Sequence, residues 1–230
     1  MAKNEIQQEA VVAEAVSKTE QFFQQNGKKV VIALAVVVLV VVGAYLYKSL
    51  VIDGNAENAS EMIVEAQDRF AGENPDFALA LNGDENGAGF LDVVEQYGST
   101  AAGNIAKHYA GICYLNLGDT ENAKKYLAAY DATAGIPNAV INAQCFGLQG
   151  DIMCDEQNYE GAVEMYKKAV AQSDNSLTAP MYLKKMGLAY EVLGNYTEAI
   201  AAYKTIEEQY PASMEGRDIA KFIGAAEQLQ

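Results

Sequence analysis

A single histidine, three cysteines and no tryptophan leave this chain short of the side chains that usually build metal centres and nucleophilic sites. His108 has no second histidine to join it, so a histidine metal site or a Ser–His triad has little to build on. Cys113, Cys145 and Cys154 form no CxxC pair, and an odd count leaves at least one thiol unpaired within the chain. Each falls inside an apolar helical pattern, which predicts small buried core residues. A Cys145–Cys154 bridge fails on reach, because nine residues along one helix separate them by about 13 Å. Basic side chains are also scarce, 16 Lys and Arg against 31 Asp and Glu. A net charge of −15 repels nucleic acid and anionic headgroups.

Several motifs are missing as well. There is no GxxxxGK, no GxGxxG after a strand, no HExxH and no GxSxG, so phosphate cradles, zincin sites and nucleophile elbows are not indicated. The loop opening at Asn82 has oxygen-bearing residues at Asn82, Asp84 and Asn86 and a glycine at Gly87, in calcium-loop order. The closing bidentate glutamate such a loop needs is Val93 here, so an ordinary polar loop is expected. With no polar constellation fit for catalysis, the chain reads as a non-enzymatic protein without a cofactor or metal.

What the chain does have is a charge-free run from Val30 to Tyr47, VVIALAVVVLVVVGAYLY, eighteen residues long. At about 1.5 Å per helical residue it reaches about 27 Å, close to the hydrocarbon thickness of a bilayer. It has no polar face and reads as a transmembrane anchor. A cleaved signal fits less well: 29 residues precede the run, and its end lacks an Ala-x-Ala exit. Lys18, Lys28 and Lys29 precede the run and only Lys48 follows closely, a bias that keeps the N-terminus in the cytoplasm. The span holds no ionisable group, which marks a tether rather than a transport element. The first 29 residues hold four Lys and four Glu, so 12 basic and 27 acidic side chains follow the span.

Beyond the anchor the sequence repeats itself. From Pro180, Leu183, Met186, Gly187 and Tyr190 mark one helix, Gly194 and Tyr196 a turn, and Ala199, Tyr203 and Ile206 a second helix closed by Pro211. Earlier copies align on Gly150, with Phe146, Met153, Tyr159, Ala162, Tyr166 and Ala169, and on Gly111, with Lys107, Tyr114, Gly118, Ala123 and Leu127. The three glycines stand 39 and 37 residues apart, with the extra length in polar connections at 131–137 and 172–176. This pattern resembles the tetratricopeptide repeat, from which only Ile206 departs, at a place the family fills with alanine. In such a repeat, small residues let two antiparallel helices approach and aromatics fill the seam to the next pair. Residues 89–100 resemble the second helix of a further repeat. Its first helix is expected over 56–71, with Met62, Ala66 and Phe70 on one stripe, and 72–89 as a loop with one short helical turn. An amphipathic capping helix is expected from Gly216 to Leu229.

The expected architecture is all-α: one transmembrane helix followed by an α-solenoid of repeat helix pairs and a C-terminal cap. Residues 1–29 read as a cytoplasmic amphipathic segment, 30–47 as the anchor, 48–100 as a helical linker with a degenerate half-repeat, and 101–230 as three repeats plus the cap. A groove lined by the first helix of each repeat is expected to use His108, Ile112, Leu115, Gly147, Asp151, Lys184, Leu188 and Glu191. Lacking the Lys and Asn pattern of carboxylate clamps, this mixed apolar and acidic groove suits extended or helical protein segments.

The order of parts, with Phe22-Phe23-Gln24-Gln25-Asn26-Gly27-Lys28 running straight into the span, resembles the ancillary subunit of the bacterial Sec translocon. That resemblance implies an inner-membrane protein with a periplasmic repeat domain, and translocon subunits, secreted clients or periplasmic chaperones as partners. Scaffolding of another envelope assembly, such as outer-membrane biogenesis or division, is the alternative.

Overall fold

The structure, a computed structural model, describes residues 26–132, 139–172 and 175–230. The amphipathic segment before Asn26, with Phe22 and Phe23, and most of the 131–137 connection lie outside the described residues. The chain divides into two compact units, Met1–Gly54 and Asn55–Gln230.

In the first unit, residues 26–47 form helix α1, followed by a π-helical stretch at Lys48–Asp53. The apolar run is helical throughout, as its composition requires. Val31 to Tyr47 are all exposed. The helical stretch Asn26–Ala71 contains an 18-residue window of mean hydropathy 2.9 with none of it buried. By length and composition this helix is able to cross a membrane.

The second unit is helical, with no strand among the described residues. Its elements are α2 (Gly54–Ala71), α3 (Phe77–Asn82), α4 (Phe90–Tyr97), α5 (Ala101–Asn116), α6 (Thr120–Ala128), α7 (Ala139–Asp155), α8 (Tyr159–Gln172), α9 (Ala179–Val192), α10 (Tyr196–Gln209) and α11 (Ile219–Leu229). The pairs α5–α6, α7–α8 and α9–α10 pack against each other in sequence order, and successive pairs also touch. This is the repeat solenoid that the glycine register predicts.

The register works through one steric device used three times. A Cβ on Gly111 would collide with the Leu127 side chain, one on Gly150 with the Tyr166 ring, and one on Gly187 with the Tyr203 ring. In each case the second helix presses its large residue onto the bare backbone of the first. Ala123, Ala162 and Ala199, at matching places on the second helices, are fully buried.

The turns inside the pairs also repeat. Gly118, Gln157 and Gly194 all adopt positive φ, of 79°, 62° and 73°. Each turn closes with the same two backbone bonds, for example Gly194 N–H to the Glu191 carbonyl and Asn195 N–H to that of Tyr190. That double closure is the Schellman motif, whose left-handed residue is normally glycine. Gln157 is the one non-glycine residue with positive φ among the described residues.

At the N-terminal end, α2 buries Ala59, Ile63 and Ala66 in one core with Phe90, Val93, Ala102, Ala106 and Ala110. Met62 and Phe70 pack at its edge. The short helical turn expected within 72–89 is α3, capped by the Asp76 carboxylate accepting from the Leu79 N–H at 2.9 Å. Asp84 accepts from the Asn86 N–H at 3.0 Å and from Arg69 at 2.7 Å. The Asn86 N–H leads in holding this carboxyl below its usual range, and Arg69 adds to it.

The capping helix starts at Ile219, three residues later than the expected Gly216. The Gly216 N–H donates to Ser213 Oγ at 3.0 Å, and Ser213 Oγ donates to the Tyr210 carbonyl at 2.7 Å. These bonds fold 213–216 into a turn that competes with helix. Ile206 meets Ile219, Ile223 and Ala226 in the last core cluster. Its bulk is explained there: the cap is a single helix, and a larger side chain fills the space against it.

Candidate protein-binding face

The first helices of the repeats, α5, α7 and α9, carry the residues expected to line the groove. The structure separates them into three groups. His108 and Gly147 are buried and present no surface, which corrects their expected place in the lining. His108 is 1% exposed, with Nε2 3.3 Å from Gln144 Oε1 and its ring packed near those of Tyr109 and Tyr130. Its Nδ1 is buried without a hydrogen-bond partner. Burial drives its pKa down to about 4, against a small opposing pull from Gln144. Gly147 is covered by the Tyr182 ring of the next repeat. Helical spacing located both residues correctly along α5 and α7, but it could not show how closely the following repeat packs onto those positions.

A second group is half-buried and engaged elsewhere. Leu115 packs against the core cluster containing Leu127, Tyr130, Cys145 and Ile152, and Ile112 is half-buried on the same helix. Lys184 turns toward the cap, with Nζ 4.2 Å from the Phe222 ring centroid and 3.5 Å from Asp218. Glu191 accepts a 2.8 Å bond from the Tyr203 hydroxyl. Burial, with that bond second, holds the Tyr203 phenol far above its ordinary range.

The third group is brought together. Asp151 and Leu188 line one pocket of about 190 Å³ with Cys154, Tyr159, Tyr166, Lys185, Ala189 and Val192. Lys185 Nζ donates to both Asp151 carboxylate oxygens at 2.6 and 2.8 Å, bridging α7 and α9. The Tyr166 hydroxyl donates to Asp151 at 2.7 Å from α8, and Cys154 Sγ lies 3.4 Å from the same hydroxyl. Burial raises the Tyr166 pKa most, and the contacts with Cys154 and Asp151 add to the shift. These groups are positioned to hold three helices in register.

Sequence reasoning missed Lys185, Val192, Tyr159, Tyr166 and Cys154 as pocket residues. One signal was available: Leu188 and Val192 stand four apart on α9, an apolar pair on one helix face with Ala189 beside it. The contribution of α8 had no such signal, because Tyr159 and Tyr166 already read as packing aromatics.

A tetratricopeptide repeat family profile matches residues 106–130 and 185–213. No curated protein matches the sequence. Among solved structures the fold is similar to one described as the crystal structure of MamA protein, at 17% identity and a TM-score of 0.49, covering 74% of this chain and 85% of that one. The profile falls on the first and third of the repeats described above, and the second shares their glycine, buried alanine and turn. Residues 106–130 and 185–213 are therefore similar to tetratricopeptide repeats.

Proposed function

We propose that this chain is a non-enzymatic adaptor tethered to the bacterial inner membrane by Val30 to Tyr47, with its N-terminus in the cytoplasm and its repeat domain in the periplasm. It binds protein segments there and assists translocation or hand-over to periplasmic chaperones. The observation that carries this reading is a helical stretch without a charge, exposed from Val31 to Tyr47, in the same chain as a repeat domain. So much exposed apolar surface requires a cover, and the length and uniformity of this stretch match a bilayer. Tetratricopeptide repeats supply protein-binding surface, and tethering raises the local concentration of that surface near the membrane.

Protease treatment of spheroplasts tests the topology. Digestion of the repeat domain without lysis is expected, and its protection would reverse the orientation. In-cell crosslinking from the first helices then tests the role. Translocon subunits or secreted proteins are expected among the products, whereas a partner list confined to outer-membrane or division machinery would move the chain to a different envelope scaffold.

A further inference from the structure

We infer that the pocket between α7, α8 and α9 seats one bulky apolar side chain of a partner segment whose flanking residues are basic. The inference rests on the adaptor reading above and gives its partner a chemistry.

Three observations lead there. The first is uncovered apolar surface: Leu188 and Val192, one turn apart on α9, are 41% and 60% exposed, while Ala189 between them is buried. The second is the state of the polar lining. Lys185 and Tyr166 both donate to Asp151, and Cys154 lies against the Tyr166 hydroxyl. These groups are bonded to one another, so an entering group meets aliphatic carbon and aromatic edges. A volume of about 190 Å³ admits a single side chain and not a helix.

The third observation is the charge around the pocket. Asp155 and Glu156 follow the lining residue Cys154, Glu160 follows Tyr159, and Glu191 precedes Val192. Glu156 pairs with Lys124 and Glu191 accepts from Tyr203. Asp155 and Glu160 are exposed and take part in no ion pair among the described residues. The one lysine of the lining is already neutralised by Asp151. The basic neighbours of the lining are also engaged, Lys167 with Glu164 and Lys184 with Asp218. Of the charges named here, Asp155 and Glu160 are therefore the ones left without an ion pair, within a chain whose residues after the span hold 27 acidic and 12 basic side chains. An apolar anchor with Lys or Arg on either side complements both the apolar surface and these two carboxylates.

The test uses the full chain in nanodiscs of zwitterionic lipid and fluorescence anisotropy with three short peptides. One has a central Phe flanked by Lys, one has Ala in place of that Phe, and one has Glu in place of each Lys. The first is expected to bind more tightly than either control by about tenfold or more. Val192→Asp, at an exposed position, is expected to abolish the difference without changing the circular dichroism. Reversing the rim with Asp155→Lys and Glu160→Lys is expected to shift preference toward the Glu peptide.

Equal binding of all three peptides, or a Val192→Asp chain that binds like the wild type, overturns the inference. A photo-crosslinker at Ile112 or Leu188 separates this from failure of the broader reading. If it captures translocon or client proteins in cells while the peptides are not discriminated, the anchor chemistry is wrong and the adaptor stands. If nothing is captured and no peptide binds, both fall.

Discussion

At the scale of single residues, the turn within the second repeat carries a measurable flaw. Gln157 takes the left-handed conformation that its counterparts Gly118 and Gly194 take without a side chain. That conformation costs an L-residue about 1–2 kcal/mol. Gln157→Gly is therefore expected to stabilise the chain by about 1 kcal/mol, after the added freedom of the unfolded glycine is subtracted; urea unfolding of the two proteins measures it. The reverse case is Gly187→Ala, where the new methyl meets the Tyr203 ring. Overpacking there is expected to cost about 1–3 kcal/mol. Gly224→Ala is the control, since nothing lies within 4 Å of its Cβ direction inside α11. It is expected to gain up to about 1 kcal/mol from helix propensity.

His108 gives a further prediction at this scale. Its pKa is held at about 4 in the fold, against an ordinary value of about 6.5. Above the ordinary value neither state binds the proton and nothing is lost. As pH falls from about 6.5 to about 4, the unfolded chain takes up a proton that the folded chain refuses, so stability declines by about 3 kcal/mol at most. Below about 4 both states are protonated and this contribution levels off. Chemical denaturation across that interval is expected to show a steeper decline for the wild type than for His108→Gln.

At the scale of elements, the fold was legible where one residue type serves one geometric purpose. Gly111, Gly150 and Gly187 announced the helix pairs because only glycine admits the ring or branched side chain pressed onto it. The starts of helices were less legible. Gly216 opens an amphipathic pattern that reads as helix, yet its N–H is taken by the Ser213 hydroxyl and α11 is delayed to Ile219. Groove residues were legible only in part, since one-helix periodicity cannot show what the next repeat covers. His108 and Gly147 were lost to burial in this way, and Lys184 was drawn off by Phe222. The cap itself is testable. Ending the chain after Ser213 would uncover Ile206 and Tyr203, both fully buried against or beside α11. Loss of cooperative unfolding and concentration-dependent association are expected, measured by calorimetry and light scattering.

At the scale of the whole molecule, charge and compactness act on different parts. Residues from Asn55 form their own compact unit with a continuous series of cores, so a fragment 55–230 is expected to fold without the apolar N-terminal helix. The excess of acid in that fragment produces self-repulsion, which salt screens over about 10 Å at 0.1 M ionic strength. Its melting temperature is therefore expected to rise with moderate sodium chloride, and calorimetry at several ionic strengths measures the slope. A protein stabilised chiefly by surface ion pairs would respond in the opposite direction. The pairs seen here, such as Lys167–Glu164 and Lys204–Glu227, have half-exposed partners and contribute little.

The placement of the three thiols has a consequence for where the chain is able to fold. Cys113 lies in the core with α2 and α4, Cys145 under the Leu127 carbonyl, and Cys154 beside Tyr166. Cys113 and Cys145 are buried, and burial pushes both up to about 12, so neither offers the thiolate that an oxidant or an isomerase attacks. Nothing in the architecture waits on a covalent cross-link. The fold around these thiols is therefore expected to form under reducing and oxidising conditions alike.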